Sequence, residues 1–228
     1  METHPELPET DSEIGRLPPV SRATLLSSLG ADSGKNSRAI IDRVSVVVVY
    51  SAAAIGSSVI LLPVPNFETI SLFIFFVAYV YGYRTGLQMM IVTTLVFEIF
   101  ATMAYGAGGF LLIFKIIGYA PFVALGSYLG RLEPQVNSNL DSGASESLRT
   151  SRYVLFSTMG FTLTFFYDVV TTLSAFLIIP IYDYFLTVFV TGIPFFLFHE
   201  TTNAFLFLLL PRLVKVVRYA KVESVGFE

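Results

Sequence analysis

Between residues 44 and 210 six apolar stretches follow one another with almost no charge inside them, and this leaves the chain few solvents in which to fold. About 20 apolar residues cross the ~30 Å hydrocarbon core as a helix, and in lipid only helices and closed barrels satisfy their own backbone. The stretches run over 44–62, 70–83, 86–105, 109–129, 153–179 and 184–210, the second being short. Turn signals separate them: Pro63-Val64-Pro65-Asn66, Gly82 with Arg84-Thr85-Gly86, Gly106 to Gly109, and Pro180 with Asp183. The expected fold is an all-α integral membrane protein, a compact bundle of six transmembrane helices. At 54% hydrophobic and 14% charged, the composition departs from the usual soluble balance in the same direction.

Outside the bundle the chain is polar. Residues 1–37 are rich in Pro, Ser, Glu and Asp and read as a disordered cytoplasmic tail. Residues 38–218 form the membrane domain, with a polar, Ser-rich loop at 131–152 and a short tail at 219–228. Ala52-Ala53-Ala54 in the first stretch resembles a cleavage site, but a leader of some forty residues is too long for a signal peptide, so this stretch is a retained helix. With the N-terminus inside, Arg38, Arg43, Arg84, Arg131, Arg149, Arg152, Arg212, Lys215, Arg218 and Lys221 all face the cytoplasm. Six crossings with both ends inside satisfy that bias. The charges gather at the two ends and in the middle loop, which argues against a nucleic-acid partner. Without cysteine there is no disulfide, thiolate metal site or thiol nucleophile.

A charged side chain at mid-membrane costs about 2.5–3.5 kcal/mol on insertion, so each one calls for a partner or a wettable cavity. Glu98, Lys115, Asp168, His199, Glu200 and Asn203 lie within the stretches, with Asn66 and Glu68 at the outer mouth of the second. A rise of about 1.5 Å per residue puts Lys115 about 9 Å, Glu98 about 12 Å and Asp168 about 16 Å below the outer surface. Glu98 and Lys115 are therefore within reach of each other. Neighbours at i±4 extend four polar stripes: Thr94-Glu98-Thr102, Lys115-Tyr119, Thr164-Asp168 and His199-Asn203. Their convergence on the outer half points to a ligand cavity lined by Asn66, Glu68, Glu98, Lys115, Tyr119, Asp168, His199 and Asn203, with Tyr119 and Tyr167 as stacking surface. The plainer alternative is a set of interhelical contacts that only lock the bundle.

Two motifs nearly match known chemistry. Gly30-Ala31-Asp32-Ser33-Gly34-Lys35-Asn36 is one residue short of a phosphate loop and has Asn where Ser or Thr belongs, so no ATP hydrolysis is expected of the chain. His199-Glu200-Thr201-Thr202-Asn203 lacks the second histidine of a zinc-protease helix, so neither metal nor enzymatic activity is expected. Ala52 with Gly56, and Ala53 with Ser57, make small-x-x-x-small pairs that permit close helix approach.

Several segments together resemble the substrate-binding S components of energy-coupling factor importers. They are Pro65-Asn66-Phe67-Glu68, Tyr81-Gly82-Tyr83-Arg84-Thr85-Gly86, Phe114 to Tyr119, Gly126 to Gly130, and His199 to Asn203 ahead of Leu208-Leu209-Leu210-Pro211. The likeness covers about residues 44–218 and is nearest to the branch that includes cobalamin and other vitamin binders. It implies a cell-membrane protein that captures a vitamin-like solute from outside without a cofactor of its own. A transmembrane coupling protein and two cytoplasmic ATPases would supply energy, the coupling protein meeting Ala52, Ala53, Gly56 and Ser57. Two other functions fit the residues: a self-sufficient proton-coupled transporter, with Asp168 or Glu98 carrying the proton, and a structural membrane protein.

Overall fold

The computed structural model describes residues 22–61, 63–64, 67–105, 111–138, 146–178 and 181–225. Seven helices account for almost all of them: α1 Arg22–Leu61, α2 Ile70–Tyr81, α3 Tyr83–Tyr105, α4 Leu111–Ser138, α5 Glu146–Ile178, α6 Tyr182–Phe207 and α7 Leu210–Val225. The chain divides into two compact units, Met1–Val44 and Ser45–Glu228, and the bundle belongs to the second. Among the described residues, five spans are long and apolar enough to cross a membrane: Ile40–Leu61, Tyr83–Met103, Leu111–Glu133, Thr150–Ser174 and Tyr182–Val217. The protein is thus an α-helical, multi-pass membrane protein.

Burial follows the logic of lipid rather than water. Ile60, Met103, Ile113 and Phe205 are among many large apolar side chains more than half exposed, whereas Ser51, Thr93, Glu98, Asp168, His199 and Asn203 are buried. A water-soluble domain would do the reverse. Across the bundle these polar groups find one another, as where Thr93 donates to Ser51 at 2.9 Å between α3 and α1.

The short helix α2 is the core of this arrangement, with nine of its twelve residues buried. Glycines let its neighbours approach to backbone distance. A Cβ on Gly126 of α4 would lie 2.7 Å from the carbonyl oxygen of Phe75, and one on Gly86 of α3 would lie 2.6 Å from the Cβ of Ala78. Gly130 of α4 sits in the same way against Tyr79. In α5, a Cβ on Gly160 would lie 2.8 Å from the carbonyl oxygen of Asn203 in α6. Such small-residue crossings are how membrane helices gain contact without a hydrophobic driving force.

Helix boundaries differ from the sequence expectation in four places. The first helix begins at Arg22, inside the segment expected to be disordered; no proline interrupts Arg22–Leu61, and Ala23, Leu25 and Leu26 favour helix there. Residues 30–36 consequently lie within α1 and form no phosphate loop. The reversal between α2 and α3 needs only Gly82, at φ 86°, so Tyr83, Arg84 and Thr85 are helical rather than a turn. The 131–152 loop is largely helix, since α4 continues to Ser138 and α5 starts at Glu146. A polar sequence ends an apolar run without ending the helix, and there Arg152 lies 3.6 Å from Glu133. Last, α6 stops at Phe207 and a separate α7 reaches Val225. Pro211 has no N–H to continue the ladder, and the chain tightens ahead of it: Leu208 donates to Phe205 and Leu209 to Leu206, at 3.1 and 3.0 Å. Pro194 lies inside α6, where its missing N–H removes one ladder bond.

Candidate functional site

The site is built around the start of α2, and α1 fixes where that start lies. The Thr69 N–H donates to Ser58 Oγ at 3.2 Å, and the Thr69 hydroxyl is hydrogen-bonded to those of Ser57 and Ser58. Glu68 precedes this anchor, and its partly exposed side chain turns toward α4 and α6. There Tyr119 donates its hydroxyl to Glu68 Oε1 at 2.6 Å.

From α5 and α6 come Asp168 and His199. Nδ1 of His199 lies 2.9 and 3.1 Å from the two carboxylate oxygens of Asp168. A carboxylate only accepts, so Nδ1 carries the proton and the ring is locked with Nε2 pointing away from Asp168. Nε2 stands 3.8 Å from Glu68 Oε1, beyond hydrogen-bond distance, and is buried with no hydrogen-bond partner among the described residues. Two tyrosines wall the cluster: the rings of Tyr119 and Tyr167 are 4.5 Å apart, and Tyr167 meets the His199 ring edge-on at 6.0 Å. Glu68, Tyr119, Asp168 and His199 thus form one polar cluster drawn from four segments, with the 3.8 Å gap between His199 and Glu68 inside it.

The remaining candidates fall into adjoining contacts. Glu98 and Lys115 form an ion pair between α3 and α4, which leaves Glu98 Oε1 buried without a partner among the described residues. Asn203 accepts from the Ser71 hydroxyl at 2.7 Å, and its Nδ2 is likewise unpartnered. A groove of about 440 Å³ between α3 and α4, lined by Leu95, Glu98, Ile99, Thr102, Met103 and Leu112, touches Glu98 alone among the eight candidates. Glu98 with Lys115, and Tyr119 with Glu68 beside His199 with Asp168, therefore meet side chain on side chain rather than around that groove. Asn66 lies outside the described residues.

On α1, Ala52, Ala53 and Gly56 are exposed, and no side chain comes within 4 Å of where a Gly56 Cβ would stand. Ser57 instead turns inward to Thr69. Sequence reasoning missed Ser58, Thr69 and Ser71, which anchor α2 and Asn203. None of the three carried a usable signal, because each one's partner lies on a different segment: Ser58 of α1 with Thr69, and Ser71 of α2 with Asn203 of α6.

Chemically, the arrangement offers acceptors on Glu68 and His199, an amide donor on Asn203 and two aromatic faces, which suits recognition of a small polar solute. It also offers a path for a proton from Asp168 through the imidazole toward Glu68. No family model, curated protein or solved structure matches the chain.

Proposed function

We propose that this chain is the solute-capturing subunit of an ATP-driven importer of the energy-coupling factor type, set in the cell membrane with six crossings and both ends in the cytoplasm. Its solute is a vitamin or related micronutrient taken from outside, and a coupling protein with two ATPases drives release. One observation carries the reading: Glu68, Tyr119, Asp168 and His199 are gathered from four segments, while His199 Nε2 and Asn203 Nδ2 are buried and without a partner among the described residues. Polar atoms left unsatisfied at membrane depth cost about 1–3 kcal/mol each, and a solute that bonds to them removes the cost.

The short α2 supports the same conclusion. Twelve residues give about 18 Å of helix against ~30 Å of hydrocarbon, so α2 leaves roughly two-fifths of the membrane thickness unspanned. Its start is where the cluster lies, and the partial exposure of Glu68 leaves a way in. The exposed small residues Ala52, Ala53 and Gly56 supply a smooth face for a membrane partner.

Mass spectrometry of solute released from the purified, denatured protein tests the proposal. A stoichiometric micronutrient supports it; a protein that releases none and binds no member of a vitamin panel at micromolar concentration overturns it. The Asp168–His199 bond favours one competing reading, a self-sufficient transporter that passes a proton along this pair. Uptake into proteoliposomes driven by a proton gradient, with no ATPase present, would establish that reading instead.

A further inference from the structure

The charge of the cluster identifies the class of solute. Glu98 and Lys115 neutralise each other. Neither Glu68 nor Asp168 meets a Lys or Arg among the described residues; the only base against either is His199. Two carboxylates against one imidazole leave a net −2 with the ring neutral and −1 with it protonated. Glu200, also buried on α6, only deepens that excess. A buried surplus of negative charge is unfavourable until a proton or a cation joins it.

Geometry narrows the kind of cation. With Nδ1 committed to Asp168, the neutral ring presents the lone pair of Nε2 toward Glu68 Oε1 at 3.8 Å, so two acceptors face each other. An N–H₂ group placed about 2.9 Å from each closes that gap with two hydrogen bonds. Beside it stand the rings of Tyr119 and Tyr167, whose faces attract cations and stack on flat groups. Among the described residues no three His, Cys, Asp or Glu side chains come together as a metal-ligating group, and the two tyrosine faces suit a flat organic body.

We infer that the solute is a small organic cation bearing N–H donors, an aminium or amidinium group on a flat or apolar body, held between Glu68 and His199 and against Tyr119 and Tyr167. This rests on the binding-subunit reading above and deepens it.

Three nearly isosteric probes test it on the purified full-length protein in detergent at neutral pH: benzamidine (cation), benzamide (neutral) and benzoate (anion), compared by calorimetry or thermal shift. Benzamidine is expected to bind about tenfold more tightly than benzamide, the difference between charge-assisted and neutral hydrogen bonds, and benzoate more weakly still. Glu68→Gln, verified as folded by monodisperse elution, should abolish that preference; if the variant does not fold, the ranking on the unaltered protein decides. Equal or tighter binding of benzamide or benzoate, or no binding of benzamidine, overturns the inference. A neutral or anionic solute found in the purified protein would also overturn it while leaving the importer reading intact. Absence of any bound or bindable solute would overturn both.

Discussion

His199 reaches from the C-terminal third of α6 to place Nδ1 against both carboxylate oxygens of Asp168 on α5, at 2.9 and 3.1 Å. This contact holds the imidazole plane, and with it the direction in which Nε2 faces Glu68. Asp168→Ala removes the acceptor and leaves a buried N–H without a partner, so it should destabilise the protein by about 1–3 kcal/mol. Asp168→Asn can still accept from Nδ1 through its amide oxygen and should recover most of that loss. Thermal unfolding of the two variants in detergent compares them; an alanine variant as stable as the unaltered protein would show that the contact does not hold the ring.

Much of the site was legible because depth and helical period are one-dimensional. Glu98 and Lys115 fall at similar depth on consecutive helices, and they do pair. His199 and Asn203 share a face at i and i+4. What spacing does not encode is azimuth, the rotation of each helix about its own axis. Ser57 illustrates this: the resemblance implied that it meets a coupling protein, yet it turns in toward Thr69. Helix ends were the least legible, because Arg131 to Ser138 changes solvent without changing conformation.

The Glu98–Lys115 pair sits where each charge depends on the other. Lys115→Met leaves the buried Glu98 carboxylate without its cation, and Glu98→Leu strands the ammonium. Breaking a buried pair from one side costs about 3–5 kcal/mol, whereas replacing both partners by apolar groups is often neutral. The double variant Glu98→Leu with Lys115→Met should therefore be more stable than either single variant. Unfolding of all four members of the cycle gives the coupling, and strictly additive losses would show that the two charges are not stabilising each other.

Six crossings require α2 to carry the chain through the membrane, although it is only twelve residues long. Val64 before it and Tyr83 after it are both exposed, so they should lie on opposite sides. The natural chain has no cysteine, which makes Val64→Cys and Tyr83→Cys single-site reporters. In intact cells a membrane-impermeant maleimide should label the first at once and the second only after lysis. Labelling of both from the same side would show that α2 dips into the membrane without crossing it.

Gly56 separates capture from transport. Its position on α1 is open, with nothing within 4 Å of a prospective Cβ among the described residues, so Gly56→Leu should leave folding and solute affinity within error of the unaltered protein. If a coupling subunit seats against Ala52, Ala53 and Gly56, the added isobutyl group holds the two helices apart by more than an ångström. Contacts between membrane helices that depend on small residues do not survive such a gap, because dispersion falls steeply with distance. Gly56→Leu should then abolish ATP-dependent uptake in cells carrying the coupling protein and both ATPases, while the purified variant still binds solute. Normal uptake by this variant would move the docking surface to another face of the bundle.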